Sequence, residues 1–71
     1  MIDPNVSDLF FNHMDACETY RKMVNAESPA DETAARVHFR MVASDFAGMI
    51  ERLTGDAPDP DALVDDFLAR V

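Results

Sequence analysis

The feature that most constrains this chain is one long stretch of helical periodicity between Ser28 and Gly55. Ser28-Pro29 is a helix-start signal, because serine accepts backbone N–H bonds as N-cap and proline suits the first helical position. Gly55 suits the left-handed conformation that ends many helices. Apolar residues recur between these signals at steps of three and four: Ala35, Phe39, Val42, Phe46, Met49, Ile50 and Leu53. This pattern predicts a helix over residues 29–54, about seven turns long, onto which the rest of the chain packs.

The same stretch carries a second, narrower stripe in which small residues dominate: Ala30, Ala34, Val37, Met41 and Gly48. A helix that is apolar on two faces is expected to be contacted on two faces. We therefore predict that this stripe is a self-association seam, where small side chains let another helix approach closely.

Two more helices are predicted around this one. Asp3-Pro4 and Asp59-Pro60 repeat the cap-plus-proline signal, which predicts helices over 4–26 and 60–70. The short connection before Ser28 makes the first two helices antiparallel. The predicted fold is all-α: a long antiparallel helical hairpin plus a short C-terminal third helix. Residues 1–71 would form one small three-helix bundle, and its third helix would close on its own chain or complete a dimer.

The charge balance excludes some partners and favours others. Fourteen acidic residues stand against six basic ones, for a net charge of −8. Such a chain repels nucleic-acid phosphates and anionic membranes and attracts basic protein surfaces. Hydrophobic residues make up 48% of the sequence, and excess apolar surface on a small helical protein is usually covered by association. We therefore expect a homodimer and a protein partner with a basic surface, without direct nucleic-acid binding or membrane insertion.

Cysteine usage and the N-terminal sequence bear on location. Cys17 is the only cysteine, so the chain cannot form an internal disulfide. Residues 1–4 show no basic segment followed by an apolar run, which is the pattern of a signal peptide. These features lead us to expect a cytoplasmic protein.

Few residues are candidates for a metal site or a catalytic site. His13 and Cys17 share one helix face at four-residue spacing, and His38 on the next helix would supply a third metal ligand. A buried cysteine and a hydrogen-bonded histidine explain the same pattern more simply, so we assign no metal and no cofactor. The sequence has no glycine-framed serine and no glycine-rich phosphate loop. We expect a protein that is not an enzyme.

An interaction surface is the remaining candidate. Phe11 lies on the polar side of the first helix, near Asp8, Asp15 and Glu18 at helical spacing. An aromatic side chain with an acidic rim is typical of an interface anchor, although the third helix could instead cover the ring. The C-terminal part adds Asp61, Asp65 and Asp66 to the predicted partner-binding residues.

Two functional hypotheses follow. The first is a small acidic protein-binding module, such as a phage-type inhibitor or nucleic-acid mimic. It would block the basic surface of a nucleic-acid-handling complex, with carboxylates in the place of phosphates. The alternative is a structural homodimeric assembly subunit or regulatory adaptor, whose charge serves only solubility.

Overall fold

The computed structural model describes residues 2–71, which form four α-helices and no strand. They are α1 (Pro4–Phe11), α2 (Met14–Val24), α3 (Pro29–Thr54) and α4 (Pro60–Arg70). The predicted all-α fold class is thus confirmed. Met1, part of the N-terminal segment in which we expect no signal peptide, lies outside the described residues. The described part measures 39 × 19 × 19 Å along its principal axes. Helix α3 sets the long dimension, because 26 residues at about 1.5 Å each span the same length.

Helix α3 begins and ends where the sequence predicts. Ser28 is extended at the N-cap, and its hydroxyl accepts a hydrogen bond from the Asp31 N–H at 3.2 Å. Gly55 ends the helix with φ 86°, and its N–H donates to the Glu51 carbonyl at 2.8 Å. Both signals are local backbone chemistry, which explains why the sequence alone located them.

The predicted first helix over 4–26 is wrong, because the chain breaks after Phe11. Asn12 closes α1: its side-chain amide and its backbone N–H both donate to the Asp8 carbonyl, at 2.9 and 3.1 Å. His13 is then extended, with ψ 128°, and its Nδ1 accepts the Asp15 N–H as N-cap of α2. Asparagine and histidine side chains can satisfy helix-end groups, so the break needs neither proline nor glycine.

The break changes which residues of the N-terminal half are buried. Thr19, which a continuous helix would turn to solvent, is buried, and its hydroxyl donates to the Asp15 carbonyl at 2.7 Å. Leu9 and Val24, which the continuous helix would bury, are more than half exposed. Two helices with separate axes present different faces to α3, and a single periodic pattern cannot describe both.

Helix α4 packs against α1 and α3 of its own chain. Asp59 caps it by accepting the Asp61 N–H at 3.0 Å, and its bounds match the predicted third helix. Leu63 and Phe67 are its buried residues, with exposures of 0% and 2%.

Aromatic side chains from three helices form the centre of the core. The Phe10 ring lies 6.0 Å from Phe39, 5.1 Å from Phe46 and 5.8 Å from Phe67, measured between centroids. Edge-to-face and tilted pairs of this kind each add about 0.5–1.5 kcal/mol beyond area burial. The predicted α3 stripe is only partly buried, because Met49 and Leu53 are exposed. Helix α2, with 11 residues against 26, is too short to cover all of α3.

Candidate functional site

Two of the predicted acidic residues, Asp8 and Asp66, are engaged inside the molecule by Arg70. The Arg70 Nη1 lies 2.7 Å from the Asp8 carboxylate, and its Nε lies 3.4 Å from the Asp66 carboxylate. Asp66 also accepts a hydrogen bond from the buried Ser7 hydroxyl of α1. Arg70 therefore joins α1 to α4, and these two carboxylates are less available to a partner than the sequence alone would indicate.

The structure places Phe11 at the edge of the core. Its ring lies 5.1 Å from Phe67, and the Arg70 guanidinium lies over it at 5.6 Å. Helix α4 therefore half-buries the ring, which is the second of the two placements that the sequence left open. Its use as an interface anchor stays a prediction.

Asp61 and Glu18 also have partners. Arg40 of α3 lies 2.6 Å from the Asp61 carboxylate, and Lys22 lies 3.9 Å from Glu18 on the same helix. Exposed pairs of this kind contribute between zero and about 1 kcal/mol, so solvent or a partner can replace them. Asp15 and Asp65 are the predicted acidic residues that are exposed and form no ion pair with a residue in 2–71.

Helices α2 and α3 bring Asp15 and Glu18 next to Asp45. The three line a groove of about 270 Å³, whose other lining residues include Lys22 and His38. The sequence predicts Asp15 and Glu18 as partner-binding residues but gives no reason to join them to Asp45. That proximity depends on how α2 packs along α3.

A second acidic site, which we call the linker cavity, lies where residues 2–6 meet the α3–α4 linker. Asp3, Asp56 and Asp59 line this 450 Å³ cavity together with apolar residues that include Val6 and Ile50. Among the described residues, no lysine, arginine or histidine contributes to its lining. Sequence reasoning missed the cavity as a site, because residues 3 and 56 come together only through the tertiary fold. The available signal was the run of aspartates around Pro58.

The three residues considered for a metal site have other roles. The His13 Nδ1 accepts the Asp15 N–H at 3.2 Å, and the Cys17 thiol donates to the Phe11 carbonyl at 3.2 Å. His38 is exposed on α3. Within residues 2–71 there is no group of three or more His, Cys, Asp or Glu side chains placed to hold a metal ion. His13, Cys17 and His38, which the sequence offered only as an alternative to a buried cysteine and a hydrogen-bonded histidine, therefore do not form such a group.

The second apolar stripe of α3 faces away from the core. Ala30 and Ala34 are exposed, Val37 and Met41 are 58% and 59% exposed, and Gly48 is half-exposed. Within residues 2–71 the buried core therefore includes none of these five residues, and contact of this stripe with a second copy stays a prediction.

Comparisons with protein-family models, with curated proteins and with solved structures found no match. None of the helices in residues 2–71 combines the length and the apolar character needed to cross a membrane.

Proposed function

We propose that this protein is a non-enzymatic inhibitor or nucleic-acid mimic that binds the basic surface of a nucleic-acid-handling protein. It would act by occupying a positively charged channel, with carboxylates meeting the lysines and arginines that otherwise hold phosphates. The partner supplies the positive charge, and this chain supplies carboxylates arranged on its helices and linkers.

The observation that carries the proposal is the number of free carboxylates. Five of the fourteen acidic residues form ion pairs within residues 2–71, which leaves nine without one. All nine are exposed: Asp3, Asp15, Glu27, Asp31, Asp45, Glu51, Asp56, Asp59 and Asp65. Internal pairing therefore uses most of the bases and leaves a surface whose unpaired charge is predominantly negative. A surface of this kind raises the association rate with a basic protein and discriminates against acidic ones.

The linker cavity is the part of this surface best suited to a basic side chain. Its apolar lining residues suit the methylene stem of a lysine or arginine, and its three aspartates suit the charged head. Asp56 offers its whole carboxylate, whereas one oxygen of Asp59 already caps α4. The groove lined by Asp15, Glu18 and Asp45 offers a second place for basic groups, although Lys22 partly offsets its charge.

The proposal includes a cytoplasmic location. Cys17 is a free thiol, and free cysteines are typical of reducing compartments. The targets of a nucleic-acid mimic are found in the same compartment as the nucleic acid.

A peptide of nine arginines serves as a probe for the basic partner. Amide chemical shifts of the labelled protein, followed by NMR during titration, locate where the peptide binds. We expect saturable shifts centred on residues 3, 56 and 59. Shifts spread evenly over all nine free acidic residues would contradict a defined site, and the absence of saturable shifts would contradict the proposal itself.

A pair of matched variants distinguishes peptide binding at the linker cavity from a general effect of net charge. The Asp56→Asn/Asp59→Asn variant removes two charges from the linker cavity and keeps the α4 cap, because asparagine caps as well as aspartate. The Glu27→Gln/Glu51→Gln variant removes two charges from exposed residues elsewhere. We expect the first to weaken peptide binding several-fold more than the second. If both variants weaken peptide binding equally, the binding depends on net charge and not on the linker cavity.

A further inference from the structure

The outer face of α3 has the spacing of a coiled-coil seam. Its residues recur at alternating steps of four and three: Ala30, Ala34, Val37, Met41, Ser44 and Gly48. This is the period of paired helices, and it lies opposite the residues that α3 buries in its own core. Val37 and Met41, the two large apolar members, are both more than half exposed. No residue in the described range 2–71 covers them fully.

Gly48 gives a separate reason to expect a neighbour on this face. Glycine in a helix interior costs about 1 kcal/mol relative to alanine, so it usually has a packing reason. Its own chain provides none, because a Cβ added at Gly48 meets no atom within 4 Å and its φ is not positive. A second helix crossing close to the backbone would provide one.

The charges along one flank of the seam indicate which helix this is. Asp31, His38, Asp45 and Arg52 recur every seven residues on that flank. Asp31 and Asp45 form no ion pair within residues 2–71, and neither does Arg52. The order is acidic at the start of the series and basic at its end. It is therefore self-complementary when two copies run in opposite directions.

We propose that the outer face of α3 pairs with the same face of a second copy, antiparallel, about a two-fold axis near Met41. Asp31 then lies beside Arg52 of the second copy, and the symmetry repeats that pair. His38 lies beside Asp45 of the second copy in the same way. Val37 meets the small surface of Gly48, and Met41 meets Ser44. The linker cavity is formed by other residues, so this inference does not depend on binding there. Asp45 and His38 also line the groove that we propose as a second place for basic groups, and the dimer would engage both of them.

A parallel pair would use different charges. It would bring Arg40 near Asp45 of the second copy, where Asp45 would have to compete with Asp61, which lies 2.6 Å from Arg40 in its own chain. In a parallel pair Asp31 and Arg52 would lie about 31 Å apart along the axis, since 21 residues separate them. The antiparallel arrangement is the one that uses charged groups that form no ion pair within residues 2–71.

Sedimentation equilibrium tests whether the face associates. We expect the unmodified protein to dimerise, and Met41→Lys to raise the dimer dissociation constant by about tenfold or more. Leu53→Lys is the matched control, because Leu53 is exposed at 75% and lies off the seam. It should leave the dissociation constant within about threefold of the unmodified value. Circular dichroism confirms that both variants remain folded. A protein that stays monomeric up to about 1 mM, or equal effects of the two variants, would overturn the proposal.

Charge reversal tests the direction of pairing. Asp31→Arg and Arg52→Asp should each raise the dissociation constant by about tenfold, because each replaces two attractive pairs of the dimer by two repulsive ones. The double variant Asp31→Arg/Arg52→Asp restores both pairs and should return the constant to near the original. If the unmodified protein dimerises but the double variant loses as much dimer affinity as the two single variants together, the antiparallel arrangement is wrong.

Discussion

Replacing Gly48 with alanine should stabilise the folded monomer. Gly48 lies inside α3, its φ is not positive, and a Cβ placed there meets no atom within 4 Å. The added methyl group thus causes no clash. It removes conformational freedom from the unfolded chain, which loses more entropy on folding when glycine is present.

The expected size follows from helix propensity. Alanine is favoured over glycine by about 0.8–1.0 kcal/mol in a helix interior, and no contact in the chain adds to or subtracts from this value. For a domain of 71 residues, that change in the free energy of unfolding raises Tm by about 4–8 °C.

The other glycine of the chain is the matched control. Gly55 ends α3 in the left-handed region at φ 86°, where a Cβ is strained even though the surrounding space is open. Gly55→Ala should therefore lower the free energy of unfolding by about 1–2 kcal/mol. The same substitution is thus expected to have opposite signs at two positions 7 residues apart.

Urea unfolding followed by far-UV circular dichroism, at a protein concentration low enough to keep the chain monomeric, measures both changes. If Gly48→Ala destabilises the monomer at low concentration, the space around Gly48 is not open and the reasoning fails. A stabilisation that shrinks as concentration rises would agree with a second helix passing close to Gly48. The slope of free energy against urea should be the same in both variants.

Three further predictions concern the caps and the core. Ser28→Ala should lower the free energy of unfolding in urea by about 1 kcal/mol, because it removes the acceptor of the Asp31 N–H. Ser44→Ala, on the exposed face of the same helix, is the control and should change that free energy little. Leu63→Ala should cost about 2–5 kcal/mol, because Leu63 is fully buried. Phe11→Ala should lower the free energy of unfolding by about 1–2 kcal/mol, because the Phe11 ring packs on Phe67 and lies under Arg70. An unchanged free energy of unfolding would mean that the ring is not packed against α4.

The sequence predicts best those features that depend on local chemistry. The bounds of α3 and α4 follow from Ser28, Asp59 and the proline after each of them, and from Gly55, and all of these signals act within a few residues. The core positions Phe39 and Phe46 follow from periodicity in the same way.

The errors arise where a local pattern permits two structures. Nothing in the apolar spacing distinguishes one helix over 4–26 from two helices broken at Asn12, because the break is made by side-chain caps rather than by proline or glycine. Long-range pairs are also invisible in one sequence. The contacts of Arg70 with Asp8 and of Arg40 with Asp61 span 62 and 21 residues, and both reduce the availability of predicted partner-binding carboxylates.

The linker cavity is also formed by residues that are far apart in the sequence. Asp3 and Asp56 come together because the N-terminus of α1 lies beside the end of α3, and no sequence pattern reports that proximity. The acidic composition predicted a basic partner, whereas the position of a binding cavity required the fold.

The most direct test of the central claim is the dissociation constant of the nine-arginine peptide, measured by fluorescence anisotropy at about 50 mM and about 200 mM salt. The proposed function predicts saturable binding that weakens by about tenfold or more between the two salt concentrations. In the Asp56→Asn/Asp59→Asn variant, the dissociation constant should change much less with salt. A constant that changes little with salt, or that is the same in that variant, would contradict recognition of a basic surface by these carboxylates.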